Sequence, residues 1–253
     1  MTQLSTRRLQ DLALGAIGVV LFAGAWEVIG AYRLVGLTWP PLSAVLAYLF
    51  DPARRALFVG ASAATFSRVG YGYLAGAVLG IGLGAIVHTA PLVRPGADRL
   101  ANVINSIPAI ALAPVLIVVF SREWTPVALA AVSVFFILYV ATTSGLQHSS
   151  ASHRDLFRAI GASRWSRLLR LDLLAALPAI VSSAKFAVPA AFVGTILGEW
   201  FGVSTGLGLL IVSAMQNFQI PLLWSAVLIA SFASLVSFGI ASVIESFVYS
   251  RFR

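Results

Sequence analysis

Residues 153–178 read HRDLFRAIGASRWSRLLRLDLLAALP, a charge-dense island in an otherwise apolar chain. Arg154, Asp155, Arg158, Arg164, Arg167, Arg170 and Asp172 fall within 19 residues. On a 3.6-residue period Leu156, Phe157 and Ile160 share one face, while Arg154 and Arg158 sit together on another. Gly161 is a natural helix stop, because glycine accepts the left-handed conformation of a C-cap. Ser163 can then cap a second amphipathic segment carrying Trp165, Leu168 and Leu169. The stretch predicts a short helix, a glycine break and another helix at a membrane surface, a shape that suits a socket for a soluble partner. A plainer reading stands beside it: arginine-rich loops between membrane helices set topology and touch anionic lipid heads.

The chain around the island favours a membrane. Of 253 residues, 59% are hydrophobic and 10% charged, which departs far from a soluble protein and suits one polytopic membrane domain. The net charge of +8 does not point to nucleic acid, because the arginines punctuate apolar segments instead of lining one soluble face. With no cysteine, a disulfide framework and a thiolate metal site are excluded. The first apolar run follows Arg7 and Arg8 and continues to transmembrane length, so it reads as a span and not as a cleaved leader.

Six spans are expected, at about 12–31, 67–87, 100–120, 124–146, 178–200 and 222–243, giving an all-α polytopic fold. Residues 32–61 contain Trp39-Pro40-Pro41 and read as an extended stretch plus a short surface helix, Ser43–Leu49. Residues 88–99 read as a polar turn, 147–177 as the island loop, and 202–221 as a Gly-rich connection. Charge orients the spans. With both termini cytoplasmic the inner segments hold eleven arginines: Arg7, Arg8, Arg94, Arg99, Arg154, Arg158, Arg164, Arg167, Arg170, Arg251 and Arg253. The outer segments hold four, Arg33, Arg54, Arg55 and Arg122, so the island lies in the cytoplasm.

Within the spans, Gly72, Gly76, Gly80 and Gly84 recur every four residues and let another backbone approach closely. That partner is either a helix of the same chain or a subunit or pathway contact. Asn102, Asn105, Ser106, Pro108 and Pro114 mark a third span whose prolines free backbone carbonyls, which protein or water in a cavity must satisfy. A kinked helix is the plain reading, a solute pathway the functional one. Lys185 and Glu199 are the charges of the fifth span, and both fit an interfacial position. The sequence holds no G-x-x-x-x-G-K-[ST], no H-E-x-x-H and no G-x-S-x-G, so nucleotide binding by a P-loop and the corresponding hydrolases are not expected of this chain.

The island resembles the cytoplasmic EAA loop of ATP-binding-cassette importer permeases. That pattern is Glu-Ala-Ala, three residues, Gly, nine residues, a branched apolar residue, one residue, then Leu-Pro. Laid on this chain it falls on Asp155-Leu156-Phe157, Gly161, Leu171 and Leu173-Leu174. The acid is one methylene shorter and position 174 lacks proline, with Leu177-Pro178 supplying the pair four residues later. Residues 105–114, NSIPAIALAP, resemble the third-helix segment of permeases for nitrate, sulfonate, taurine and vitamin precursors. Where that group usually has Arg-Pro this chain has Asn105-Ser106, which removes a positive charge and argues against a simple anion substrate. Trp26-Glu27, Ser43-Ala44-Val45-Leu46 and Gly206-Leu207-Gly208 resemble the same group.

The resemblance implies a permease subunit that pairs with a second permease chain, most simply as a homodimer, in the inner or plasma membrane. Cytoplasmic ATPase subunits would carry ATP and Mg, this chain would bind no cofactor, and an extracytoplasmic binding protein would deliver a small organic or inorganic solute. It also implies that Asp155, Leu156, Phe157, Arg158, Ile160, Gly161, Ala162, Ser163, Arg164 and Trp165 couple to the ATPase. Leu156, Phe157 and Ile160 would be apolar knobs, with Asp155, Arg158 and Arg164 as the polar rim and Gly161 as a turn that a side chain obstructs. Asn102, Asn105, Ser106, Pro108, Pro114 and Glu199 would belong to the pathway, Glu199 as a gate. A self-contained secondary transporter or channel is the rival, and a membrane scaffold without transport a third possibility.

Overall fold

The computed structural model describes residues 2–251, with side chains from 13 onward and at position 10. Arg253 and the side chains of Arg7 and Arg8 lie outside the described residues. Every regular element described is helical: α1 (Thr2–Ala31), α2 (Leu42–Leu49), α3 (Arg55–Thr89), α4 (Arg94–Ser106), α5 (Ala109–Phe120), α6 (Thr125–Gly145), α7 (Ala151–Ala159), α8 (Arg164–Arg167), α9 (Leu173–Glu199), α10 (Leu207–Gln216) and α11 (Ile220–Arg251). By length and composition five helical segments can cross a membrane, or six if the α4–α5 pair, bent by 103°, is one broken span. Two compact units can be distinguished along the chain, Met1–Phe58 with Leu210–Val227, and Val59–Leu209 with Leu228–Arg253.

The first unit is organised by tryptophans. Trp224 meets Trp26 and Trp39 edge to face, those two are tilted at 49° to each other, and the three centroids lie 4.7–5.3 Å apart. Trp26 Nε1 donates to the Pro40 carbonyl and Trp224 Nε1 to the Thr38 carbonyl. Glu27 accepts from the Ser43 amide at 2.8 Å and from its hydroxyl at 2.6 Å. A carboxylate there satisfies an orphan amide of α2 and suits the positive end of its dipole. The two sequence segments around Trp26 and Ser43 are thus one contact.

In the second unit α6 is the hub. Added β-carbons at Gly72, Gly76 and Gly80 would run into Ala130, Ala131 and Phe135, and one at Gly84 into Thr142. The four-residue ladder therefore packs α3 on α6 of the same chain, while Gly82 faces open space. Gly194 and Gly198 of α9 approach the α6 backbone from another side, at Leu129, Ala130 and Pro126. Val134 and Leu138 are buried between them with Ala187, Ala191 and Phe192. Small residues here permit the backbone contact that an apolar solvent cannot drive by hydrophobicity.

Several expected boundaries differ. The second span begins at Arg55, not 67, because Asp51 accepts from the Ala53 amide and Pro52 opens a single 3-10 turn that runs directly into α3. The polar turn shrinks to 90–93, since Arg94-Pro95 starts α4. The third span is two helices, broken where Ile107 and Pro108 take extended or polyproline-like backbone. Pro178 lies inside α9 and does not open it; the helix runs from Arg164 to Glu199 through a π-helical turn at Leu168–Asp172. The Gly-rich connection contains α10.

Candidate functional site

The island has the predicted helix, glycine break and further helix. Ser150 caps α7, accepting from the His153 amide. At its other end the Ala162 amide bonds the Phe157 carbonyl, and the Gly161 amide bonds that of Arg158, both at 3.0 Å. With Gly161 at φ +68° this is a Schellman close. Space is not what demands the glycine, since nothing lies within 4 Å of an added β-carbon. The backbone angle is, which corrects the expectation of an obstructed turn. Ser163 caps α8 through the Ser166 amide.

The apolar face divides. Leu156 is 55% exposed and Ile160 67%, with Trp165 and Leu169 also exposed. Phe157 is half-buried and lines a cavity of about 350 Å³ with His88, Pro91, Arg158, Arg164 and Arg167. It turns toward its own chain and does not stand out as a third knob. Arg164 donates to the Thr89 carbonyl, so this rim residue ties the island to α3. Asp155 and Arg158 form an exposed pair at 3.4 Å.

Behind the island, the π-turn carries the fully buried Asp172. Its Oδ2 meets His88 Nε2 at 3.0 Å and accepts from Arg167 Nε at 3.1 Å, while Oδ1 bonds no described group. A π-turn rotates the side chains that follow it and recurs at functional sites.

At the other end of the same helix Glu199 is also fully buried, not interfacial as expected. It accepts from Thr65 Oγ1 at 2.9–3.0 Å, from Arg68 at 2.9 Å and from the Gly208 amide at 2.8 Å. Arg68 also meets Glu123 at 2.8 Å and the Thr205 carbonyl, and Thr65 accepts from the Leu207 amide. An added β-carbon at Gly206 would collide with the Glu199 carboxylate. Burial opposes ionisation of Glu123, but the Ser204 amide and the Arg68 guanidinium outweigh it and hold its carboxyl below the usual range. The network fixes 204–208 to α3, α9 and the turn that precedes α6.

The α4–α5 break borders a cavity of about 220 Å³ that Asn105, Ser106, Pro108, Leu129 and Ser133 help to line. Of the expected pathway residues this gathers Asn105, Ser106 and Pro108. Asn102 lies one turn back, its amide on the Asp98 carbonyl, Pro114 is inside α5, and Glu199 belongs to the separate network. Lys185 pairs with Glu245 at 2.6 Å. Arg68 is the residue that sequence reading missed. Placing the span start at 67 made it look terminal, whereas a cation thirteen residues into α3 asks for a buried partner.

Residues 72–253 match the family described as the binding-protein-dependent transport system inner membrane component. The formylaminopyrimidine transport permease protein ThiX of Halalkalibacterium halodurans is 28% identical over 225 residues, 87% of this chain and 88% of its own length. The putative aliphatic sulfonates transport permease protein SsuC of Bacillus subtilis is 25% identical over 206 residues, covering 81% and 75%. The taurine transport system permease protein TauC of Escherichia coli is 23% identical over 240 residues, covering 92% and 86%.

Proposed function

The chain belongs to the family of binding-protein-dependent transport system inner membrane components, and on that premise we propose how its parts serve an ATP-binding-cassette importer. The exposed Leu156 and Ile160 seat in a groove of a cytoplasmic ATPase, the apolar-helix-in-groove mode of recognition. Asp155 and Arg158 form the rim, and Gly161, Ala162 and Ser163 turn the chain into the helix that leads to Glu199. ATP and Mg act in that partner. A second copy of the chain completes the pathway, and a binding protein delivers solute from outside. Six spans, the α4–α5 pair counted as one, leave both termini cytoplasmic, in keeping with eleven inner arginines against four outer ones. The solute is small, within the range of the sulfonates, taurine and formylaminopyrimidine that the relatives are named for.

One observation carries the reading: a Schellman-closed helix in the island presents two large aliphatic residues that its own chain leaves uncovered. An ordinary topology loop has no need of them. ATP binding that draws two such helices together biases the bundle between two states. The secondary-transporter reading has one feature in its favour, the Lys185–Glu245 ion pair between two apolar helices.

Affinity purification from the host membrane in mild detergent separates the two. A soluble ATPase retained by the wild type and lost with Leu156→Asp supports the importer. A chain that purifies alone and moves solute in proteoliposomes without ATP overturns it.

A further inference from the structure

Within the importer reading, the cavity at the α4–α5 break carries a statement about the solute. Ile107 and Pro108 interrupt a pair of helices that, taken as one span, puts backbone outside the helical ladder at membrane depth. Such backbone is tolerated only where protein buries it or where it lines a cavity that holds water. Here it borders a cavity of about 220 Å³.

The lining has hydrogen-bonding capacity and no charge. Among the described residues no Asp, Glu, Lys, Arg or His borders it. Ser106 Oγ donates to the Asn102 carbonyl at 2.7 Å and Ser133 Oγ to the Leu129 carbonyl at 3.0 Å, so both hydroxyls keep lone pairs to offer. Asn105 is exposed at the same cavity and brings a donor and an acceptor in one carboxamide. An ion entering would lose its water without gaining a counter-charge, whereas a neutral molecule with both donors and acceptors would exchange water bonds for protein bonds.

We propose that this cavity is a solute subsite that takes a small neutral donor–acceptor molecule, of the amide or amino-heterocycle kind, and discriminates against anions. The inference rests on the importer reading for the word solute, and its test is read separately.

The chain contains no cysteine, so the complex with the unsubstituted chain gives the thiol background to subtract. Ser106→Cys and, as an independent second site, Ser133→Cys are placed in the whole importer complex in nanodiscs. Each thiol is titrated with two methanethiosulfonate reagents of similar size, neutral hydroxyethyl and anionic sulfonatoethyl, with a free thiol in solution as reference. The expected result is that both positions react with the neutral reagent, and that the neutral-to-anionic rate ratio exceeds the reference by about tenfold or more. A ratio equal to the reference, or one favouring the anionic reagent, overturns the proposal. So does a lack of reaction with either reagent, which would mean a dry or sealed cavity. Co-purification of the ATPase is scored on the same samples. A retained ATPase with equal rates removes only the solute class, and an absent ATPase with the selectivity intact removes only the importer.

Discussion

Two carboxylates, Asp172 and Glu199, sit fully buried in one helical run, about 40 Å apart along its axis at 1.5 Å per residue. They are held differently. Glu199 is saturated: a guanidinium, a hydroxyl and a backbone amide share its two oxygens, and the lack of a side chain at Gly206 leaves the space its carboxylate fills. Asp172 takes His88 and Arg167 on one oxygen and leaves the other without a partner among the described residues. Buried polar networks whose members are all satisfied rigidify the structure around them. The lesson is a difference in how completely each is held. The Glu199 carboxylate is held by donors from α3 and α10, and the Asp172 carboxylate, next to the exposed island, by a histidine and an arginine on one oxygen.

Removing the cation beside Glu199 should give the largest effect. Arg68→Ala leaves Glu199 buried without its counter-charge and should cost about 3–5 kcal/mol, read as a lower melting temperature in detergent. The matched change at the other end, Arg167→Ala, leaves His88 in place and should cost about 1.5–3 kcal/mol, the range for one hydrogen bond to a charged group. Equal losses would erase the contrast.

The glycines sharpen it next. Gly76→Ala drives a methyl against the Ala131 carbonyl and should cost about 1–3 kcal/mol, while Gly82→Ala, facing open space, should leave the melting temperature unchanged or raise it slightly. Gly161→Val meets no neighbour but must hold φ +68°, costing about 1–2 kcal/mol locally. Global stability should barely change, and ATPase co-purification should fall. The aspartate variant should be milder, because aspartate visits that conformation more readily.

The smallest effect concerns pH. The folded carboxyl of Glu123 titrates below its unfolded value, so its contribution is present above about pH 4.3 and fades as pH falls through the folded value. Because Glu123 is half exposed, the slope it adds to a melting curve between pH 5 and 3 should be slight and absent in Glu123→Gln.

Much of this was legible in the chain. The hydrophobic content carried the fold class, and the resemblance of the Asp155–Trp165 run to the EAA loop carried the family; the helix, glycine stop and serine cap of that run were legible because they are local signals. The pairing of the glycine ladder with α6 was not legible, since any smooth backbone would suit those four residues. The break after Ser106 was marked by Pro108, yet a proline reads equally as a kink. Helix starts were misplaced wherever charge was taken for loop: Arg54-Arg55 and Arg94-Pro95 lie at helix entrances. Glu199 looked interfacial because its partners, Thr65 and Arg68, are more than 130 residues away in sequence.

Cross-linking from the island tests the central claim most directly. In the cysteine-free chain, Leu156→Cys and Phe157→Cys are each derivatised with a short photoactivatable reagent in native membranes. The account predicts that position 156 joins a soluble ATPase subunit in an ATP-dependent manner, while position 157, half-buried against its own cavity, joins its own chain. Cross-links from 156 to lipid alone, or from 157 to the ATPase as readily as from 156, would contradict it.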